Sequence, residues 1–222
     1  TTLTEYSICS ENRLTVVDDD TPPELCCLLG CSFTTAFGII DNETNLKFGE
    51  TVLINGAGGV GLNLIQAARL KGASKIYVLE KNIQKKTLVE KLGGIWVDSF
   101  IPRIDVIIDT TANPTVFAET IKRLDSGGRY ILVGLGGPNI NFIIHDMMGL
   151  FRGEGTTIKA SQGGSTNPPI DIPRYVKLFN SGAFNIDDLI THTYKLDEIN
   201  EGFDMLKSGN AGRIMIQINN NE

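Results

Sequence analysis

Apolar and polar residues alternate in two stretches near the start of the chain, at residues 3–8 and 13–17. Tyr6 and Ile8 share one face of the first stretch, and Leu14 and Val16 share one face of the second. This period of two predicts half-buried antiparallel strands. A run of aspartates and prolines then breaks the pattern, and an apolar helical stretch begins at Glu24. Two strands are too few for a stable sheet, so we expect an appendage here and not a full domain.

From residue 51 onward, short continuous apolar strands alternate with amphipathic helices. Continuous apolar strands indicate burial on both faces, as in a parallel sheet that helices cover. The predicted strands are 51–55, 75–80, 105–110, 129–135, 156–161 and 213–218. The predicted helices are 60–71, 83–92, 114–124, 172–180 and 196–207. The pattern predicts an α/β fold with a doubly wound parallel sheet.

The composition narrows the class of protein. The chain carries a formal net charge of -6 over 222 residues, and 41% of its side chains are apolar. The apolar content excludes a disordered chain, and the acidic balance gives no electrostatic reason to expect a nucleic acid or an anionic membrane as partner. No apolar run approaches the roughly 20 residues that span a bilayer. The cysteines include no Cys-x-x-Cys pair and are interpreted as reduced thiols, which favours a cytoplasmic protein.

The strongest chemical signal is the glycine-rich turn after the first strand of the predicted parallel sheet. Gly56, Gly58 and Gly61 form a G-x-G-x-x-G pattern, and Gly59 and Val60 complete the turn. A bare match is weak evidence, but the strand before it, the helix after it and an acid at the end of the next strand are the context of a dinucleotide-binding unit. The three glycines permit a tight turn, the approach of a pyrophosphate, and close packing of the helix. The alternative is that they serve only a compact turn.

Glu80 ends the next predicted strand, about 20 residues beyond the last glycine. Its carboxylate can accept hydrogen bonds from the hydroxyls of an adenosine ribose, whereas a 2′-phosphate would meet like-charge repulsion. The sequence therefore favours NAD over NADP. Lys81 and Lys85 leave the opposite preference open, because a lysine beside the ribose can pair with a 2′-phosphate. The alternative for Glu80 is a solvated strand end.

Several segments resemble a known family. The segment LLGCSFTTAFG at 28–38, followed by the glycine loop, resembles the zinc-dependent medium-chain alcohol dehydrogenases. The opening TLTEYSIC, the segment LITHTYKLDEINEGFDMLKSG at 189–209 and the arginine at 213 extend the resemblance over nearly the whole chain. It implies a Rossmann domain that binds the coenzyme, together with a short N-terminal remnant of a β-rich catalytic domain.

The resemblance also implies roles for matching residues. Cys31 would ligate a catalytic zinc, and Thr35 would lie beside the nicotinamide. Backbone groups from Val133 to Leu135, and at 160–162, would hold the carboxamide.

On the adenosine side, the resemblance implies that Glu80 binds the ribose and that Lys85 lies near the adenosine. Arg213 would reach the pyrophosphate.

The resemblance further implies a division of the chain. We expect residues 1–30 to be the remnant of the catalytic domain, 31–185 to be the NAD-binding domain, and 186–222 to return to the sheet as a helix and a strand. Residues 95–104 are expected to form a shortened connection. The other zinc ligands and the proton relay of the family would lie in the part of the catalytic domain that precedes this region.

A catalytic zinc needs three protein ligands. Neither His145 nor His192 lies in a ligand motif, and Cys31 alone does not make a metal site. We therefore expect zinc only if further ligands are supplied.

The leading hypothesis is the coenzyme-binding portion of an NAD-dependent alcohol dehydrogenase, acting on a small alcohol or carbonyl substrate by hydride transfer. One alternative is a non-catalytic NAD-binding or assembly module. Another is a zinc-free quinone or enoyl reductase, in which Cys31 is incidental. The resemblance also implies a homodimer that pairs through a sheet edge at 139–144 and 156–160, where an uncharged apolar run would otherwise be an aggregation hazard.

Overall fold

The computed structural model describes residues 3–98, 101–151 and 155–218. These residues form two compact units. The larger unit spans residues 31–166, and the smaller one combines the described residues before 31 with those after 166. The helix Pro168–Asn180 belongs to the smaller unit, whereas the division that the resemblance implies includes it in the domain at 31–185. Its last turn packs on the segment that follows it, where the ring centroids of Phe179 and Phe184 lie 5.6 Å apart.

The helices and strands of the described residues follow each other in the order that the sequence suggests, with some additions. The helices are α1 (Pro23–Leu29), α2 (Ser32–Gly38), α3 (Gly59–Leu70), α4 (Lys86–Lys91), α5 (Pro114–Thr120), α6 (Pro168–Asn180) and α7 (Ile199–Ser208). The strands are β1 (Thr51–Asn55), β2 (Lys75–Leu79), β3 (Ile95–Val97), β4 (Ile104–Asp109), β5 (Leu124–Leu132), β6 (Thr157–Ala160), β7 (Ile190–Lys195) and β8 (Arg213–Gln217). No single described helix is long and apolar enough to cross a bilayer, and only α1 taken together with the helical stretch Ser32–Glu43 matches a span in length and composition.

The larger unit is built on a six-stranded sheet in the order β3-β2-β1-β4-β5-β6, in which all neighbouring strands are parallel. The chain builds outward from β1 in one direction and then returns to build outward in the other. This confirms the predicted α/β fold with a doubly wound parallel sheet. The switch point of the strand order lies between β1 and β4, and doubly wound sheets bind ligands at the carboxyl edge at such a point.

The central strands are buried because they carry apolar side chains on both faces. Leu53, Ile104 and Ile107 are fully buried and pack in one cluster with Phe117 and Tyr130. The rings of Phe117 and Tyr130 meet edge to face, with 5.0 Å between their centroids. Truncating a buried aromatic ring costs about 3–5 kcal/mol of folding free energy. This core therefore stabilises the central strands and fixes the positions of their carboxyl ends.

Two strands of the main sheet differ from the prediction. β3 pairs with β2 at the sheet edge, in a stretch that the resemblance treats as a connection. Its three residues are too few to show a periodic signal. β5 begins at Leu124, ahead of the predicted start at 129, and its register with β4 shifts between Ile104 and Val106. The glycines within this strand carry no apolar signal, so its beginning is not visible in the sequence pattern.

The smaller unit contains a separate two-stranded parallel sheet, in which β8 pairs with β7. This corrects the expectation that residues 213–218 form a strand of the main sheet. The crossover helix α7 packs closely on the pair, because a Cβ at Gly202 would lie 3.3 Å from the ring of Tyr194 and 3.5 Å from Ile216. Apolar periodicity identifies a strand but not its partner, which explains the difference.

The opening residues do not adopt the predicted antiparallel strands. They are irregular on either side of a short 3-10 turn at Glu11–Arg13. Tyr6, Ile8, Leu14 and Val16 are all exposed, and none of them belongs to a strand. Strands need a hydrogen-bonding partner, and the described residues of this unit provide none for this stretch.

Candidate functional site

The glycine loop lies at the carboxyl end of β1, at the switch point of the sheet. β1 ends at Asn55, and Gly56 turns the chain with a φ of 93°, a value that favours glycine. The N–H of Gly56 donates to the carbonyl oxygen of Leu79 at 2.8 Å. A Cβ at Gly56 would lie 2.6 Å from Oγ1 of Thr110. Glycine is therefore required at position 56 for two reasons: the positive φ of the backbone, and the lack of space for a Cβ beside Thr110.

The other two glycines of the motif differ in their surroundings. A Cβ at Gly61 would lie 1.9 Å from the carbonyl oxygen of Gly56, so only glycine lets α3 pack this closely on the loop. Among the described residues, no neighbouring atom lies within 4 Å of a Cβ placed on Gly58. Gly58 is the N-cap of α3, and the first turn, with Gly59 and Val60, has N–H groups without intrahelical acceptors. The open space at Gly58 therefore lies at the partially positive end of a helix.

Glu80, which follows β2, binds the glycine loop through its carboxylate. Oε2 accepts the N–H of Ala57 at 2.7 Å, and Oε1 accepts the N–H of Asn82 at 2.9 Å. The side chain thus joins the end of β2 to the loop after β1. A carboxylate has about four acceptor directions, so both oxygens keep capacity for a ligand.

Lys85 binds the same loop residue. Its side chain is buried, with 8% exposure, and Nζ donates to the carbonyl oxygen of Ala57 at 3.1 Å. Lys81 is instead exposed and borders the cleft beside the loop. The two backbone polar groups of Ala57 are therefore held by side chains of opposite charge, Glu80 on the N–H and Lys85 on the C=O.

A cleft of about 580 Å³ opens beside this loop, at the carboxyl edge of the sheet. Its polar lining includes Gly56, Glu80, Lys81, Thr111 and Asn113. Its apolar lining consists of Leu79, Ile83, Trp96 and Val116. Asp98 also lines the cleft. Apolar walls combined with placed polar groups are typical of a small-molecule site, and the volume lies within the usual range of roughly 300–1,000 Å³.

Thr111, Asn113 and Trp96 line this cleft but have no place in the sequence-based assignment. Thr111 and Asn113 follow β4. Polar residues directly after a buried strand could have identified them as site residues, because the carboxyl edge of a doubly wound sheet binds ligands. Oδ1 of Asn113 accepts the N–H of Thr115 at 2.9 Å and so caps α5. Trp96 lies in β3, which gives too short a signal to be recognised.

Val133 and Leu135 follow β5. The N–H groups of Val133 and Gly134 both donate to the carbonyl oxygen of Asp109, at 2.8 and 3.0 Å. A Cβ at Gly134 would lie 2.5 Å from the backbone nitrogen of Ala112, so this segment runs close beside the loop after β4. The Leu135 side chain is almost fully exposed. The structure therefore brings this backbone to the same edge of the sheet as the glycine loop.

Cys31 and Thr35 lie at the start of α2. The N–H of Thr35 and the hydroxyl of Thr34 both donate to the carbonyl oxygen of Cys31, at 2.9 Å each. The turn at residues 163–166 packs against this helix, because a Cβ at Gly164 would lie 2.5 Å from the carbonyl oxygen of Thr35. The side chain of Cys31 is exposed and forms no disulfide.

The described residues do not fit a catalytic zinc. Among them, no group of three His, Cys, Asp or Glu side chains is placed to hold a metal ion. Nδ1 of His192 lies 2.8 Å from the hydroxyl of Thr191, and His145 lies in an exposed stretch. A catalytic zinc needs three protein ligands, and among the described residues no two further ligand side chains lie beside Cys31.

Arg213 begins β8 in the smaller unit. Its N–H donates to the carbonyl oxygen of Leu189 at 2.7 Å, and its carbonyl oxygen accepts the hydroxyl of Thr191 at 3.3 Å. These contacts anchor its backbone in the two-stranded sheet. A role for Arg213 at the pyrophosphate stays a prediction.

Comparison with known proteins agrees with this architecture. A family profile described as zinc-binding dehydrogenase matches residues 59–181, more than half of the chain. Among solved structures, the chain is similar to benzyl alcohol dehydrogenase from Acinetobacter calcoaceticus, with 26% identity and a TM-score of 0.88 over 94% of this chain and 60% of that chain. An alcohol dehydrogenase zinc-binding domain protein from Burkholderia ambifaria gives 26% identity and a TM-score of 0.87 over 95% and 60%. The fold is also that of 2R,3R-butanediol dehydrogenase from Bacillus subtilis, at 24% identity and a TM-score of 0.78 over 91% and 60%.

The chain thus spans 60% of the length of each of these three proteins. The profile match begins at Gly59 in the glycine loop and runs through the cleft residues of β2 to α5. The chain belongs to the zinc-binding dehydrogenase family.

Proposed function

We propose that this chain binds NAD(H) as the coenzyme-binding portion of an oxidoreductase that transfers hydride between an alcohol carbon and a nicotinamide ring. The observation that carries the proposal is the open space at Gly58, at the N-terminus of α3 and the switch point of a doubly wound sheet. Free N–H groups and the helix dipole suit such a place to a pyrophosphate. Membership of the dehydrogenase family and the likeness to benzyl alcohol dehydrogenase support the reaction class.

The cleft beside the loop suits the adenosine half of the cofactor. Its apolar side chains offer a surface to a planar base. Glu80 borders the cleft with acceptor capacity for ribose hydroxyls, and its charge opposes a 2′-phosphate. The ammonium of Lys85 is directed at the Ala57 carbonyl, which leaves Lys81 as the lysine that borders the cleft. This arrangement favours NAD over NADP.

The backbone after β5 suits the nicotinamide half. The segment 133–135 lies at the same edge of the sheet as the glycine loop, where a carboxamide can exchange hydrogen bonds with peptide groups. We place Thr35 beside the nicotinamide on the strength of the family motif. When bound, the nicotinamide supplies the hydride acceptor or donor, and the residues of this chain bind and orient it. A small alcohol or carbonyl compound is the proposed substrate.

Trp96 provides a direct test of cofactor binding. It is the only tryptophan of the chain and lines the cleft. Titration with NADH should quench the emission of Trp96 and excite the emission of the nicotinamide, and both signals should saturate. In the variant Trp96→Phe the energy transfer should vanish, while calorimetry should still detect binding. The absence of saturable binding by both methods at millimolar NADH would refute the proposal.

Gly58→Val tests where the pyrophosphate binds. Gly58 has a φ of -78° and a ψ of -171°, which other residues also adopt, so the variant should fold while its side chain fills the open space. NADH affinity should fall by at least about tenfold, or 1.4 kcal/mol. Gly137→Val is the matched control, because this exposed glycine also has no described neighbour within 4 Å of its Cβ position. Equal NADH affinity in wild type and Gly58→Val would contradict the assignment.

A further inference from the structure

Asp109 is a buried carboxylate without a direct place in the proposed site. It ends β4, in register with Asn55 of β1 and Leu132 of β5, and its exposure is 1%. Among the described residues, no Lys, Arg or His side chain forms an ion pair with it. Burying a charge is unfavourable unless hydrogen bonds satisfy it. The hydrogen-bond partners of Asp109 therefore show which segments this buried carboxylate stabilises.

One carboxylate oxygen holds the loop after β4. Oδ1 accepts both the N–H and the hydroxyl of Thr111, at 2.8 and 2.7 Å. The hydroxyl oxygen of Thr111 in turn accepts the N–H of Asn113 at 3.2 Å. Ala112 between them has a φ of 51°, a left-handed conformation that is unfavourable for a non-glycine residue. Asp109 thus stabilises a strained loop whose Thr111 and Asn113 line the cleft.

The other carboxylate oxygen and the backbone of Asp109 tie this loop to β5. Oδ2 accepts the hydroxyl of Tyr130 at 3.3 Å, and the carbonyl oxygen accepts the N–H groups of Val133 and Gly134. Burial, together with the nearby charge of Asp109, raises the pKa of Tyr130, so this phenol stays a neutral donor. Nδ2 of Asn55 donates to the same phenol oxygen at 3.2 Å, which adds the end of β1 to the network.

We propose that Asp109 is a positioning residue that holds the loop 110–113 and the segment 133–135 in fixed relation, so that both halves of a dinucleotide are bound together. This inference rests on the proposed NAD(H) function. The loop borders the cleft that suits the adenosine, and the segment is the one proposed for the nicotinamide. The carboxylate of Asp109 acts through Thr111 and Tyr130, its backbone carbonyl oxygen holds Val133, and the residue does not touch the cofactor. Its loss should therefore weaken a ligand that spans both segments more than a ligand that contacts only one.

The substitution Asp109→Asn removes the charge and keeps the shape of the side chain. NADH affinity should fall about tenfold, as expected for one charge-assisted hydrogen bond, and AMP affinity by less than about threefold. Asp105→Asn is the matched control on the same strand. Oδ2 of Asp105 accepts the N–H and the hydroxyl of Thr51, at 2.8 and 2.7 Å, but near the amino end of β4. This control should lose stability while its NADH affinity stays that of the wild type.

Tyr130→Phe is a second variant that removes the donor to Oδ2, together with the hydrogen bonds of the phenol to Asn55 and Thr120. It should weaken NADH by about threefold, with a smaller effect on AMP. It carries the test if Asp109→Asn does not fold. Three results would overturn the inference and leave NAD(H) binding intact. These are a wild-type NADH affinity in the variant that folds, equal losses of affinity for NADH and AMP, and an equal loss of NADH affinity in Asp105→Asn. A wild-type chain that binds no NADH would overturn the proposed function and this inference with it.

Discussion

The carboxylate of Glu80 and the backbone N–H of Ala57 join the end of β2 to the glycine loop across 2.7 Å. The ammonium of Lys85 holds the carbonyl oxygen of the same loop residue at 3.1 Å. The glutamate that the sequence assigns to a ribose therefore also restrains the loop proposed for the pyrophosphate. Substitutions at Glu80 are expected to act on both.

Glu80→Gln separates these two roles. The amide oxygen can still accept the Ala57 N–H, although the hydrogen bond from the Asn82 N–H is lost, and no charge remains to repel a 2′-phosphate. The wild type should prefer NADH over NADPH by about tenfold, and in Glu80→Gln this ratio should fall towards equality, with a smaller drop in unfolding temperature than in Glu80→Ala. Glu80→Ala should lower the NADH affinity and the unfolding temperature as well, because it removes the hydrogen bonds from the N–H groups of both Ala57 and Asn82, each worth about 1 kcal/mol. Equal affinities of the wild type for the two cofactors would mean that Lys81 neutralises the acid.

Lys85→Met tests the other restraint on Ala57. Methionine keeps an unbranched chain in the buried position but leaves the Ala57 carbonyl without its donor. Calorimetry should show NADH affinity reduced about fivefold, in line with a loss of about 1 kcal/mol. Lys86→Met is the control, because the Lys86 side chain is 47% exposed and lies 3.9 Å from Glu90. The hypothesis is wrong if Lys85→Met binds NADH as tightly as Lys86→Met does.

Glu50 and Arg129 form a two-point ion pair that should make stability depend on pH. Nη1 of Arg129 donates to Oε1 of Glu50 at 3.0 Å, and Nη2 donates to Oε2. Burial alone would raise the pKa of Glu50, but hydrogen bonds from Arg129 and from the N–H of Lys47 outweigh it, so the pKa lies below its ordinary value of 4.5. Because the pKa is lower in the folded state, the stabilisation is fully present above that value and is lost as pH falls through the folded pKa.

Glu50→Gln should therefore flatten the acid limb of the stability curve. At neutral pH the variant should lose about 1–2 kcal/mol of unfolding free energy, because a charged hydrogen-bonded pair becomes a neutral one. Urea unfolding at neutral pH and at about pH 3.5 measures the difference. The wild type should lose more stability on acidification than Glu50→Gln does. Identical losses in both proteins would show that other groups set the acid dependence.

Strand β6 lies at one edge of the main sheet and pairs only with β5 among the described strands. Its residues are exposed, Ile158 included, and we propose that a second copy of the chain pairs with this edge in a symmetric homodimer. The run at 139–144, which was expected to share the edge, forms no strand, although Ile143 is exposed. Light scattering at micromolar concentration should give about twice 24.2 kDa.

Ile158→Lys should convert this dimer to a monomer, because it places like charges against each other across the two-fold axis. Ile143→Lys, outside the strand, should weaken the dimer less. A wild-type mass of 24.2 kDa would contradict the pairing.

The parallel sheet and the glycine loop follow from local patterns in the sequence. The predicted strand at 51–55 has the bounds of β1, and the predicted helix at 60–71 differs from α3 by one residue at each end. Both depend on local properties, namely continuous apolar strands and helical periodicity. The positive φ of Gly56 and the close approach at Gly61 likewise belong to one strand–turn–helix unit.

Contacts between residues distant in the chain depend on the tertiary fold. The segment with alternating apolar residues from Tyr6 to Val16 forms no strand. The strand that begins at Arg213 pairs with β7 and not with the main sheet. Lys85 became a buried donor to Ala57, and Asp109 joined Thr111 to Tyr130. These outcomes depend on strand pairing and on the burial of charges between residues distant in the chain. The distance between such residues is set only when the sheet forms, whereas apolar periodicity and turn residues can be read directly from the sequence.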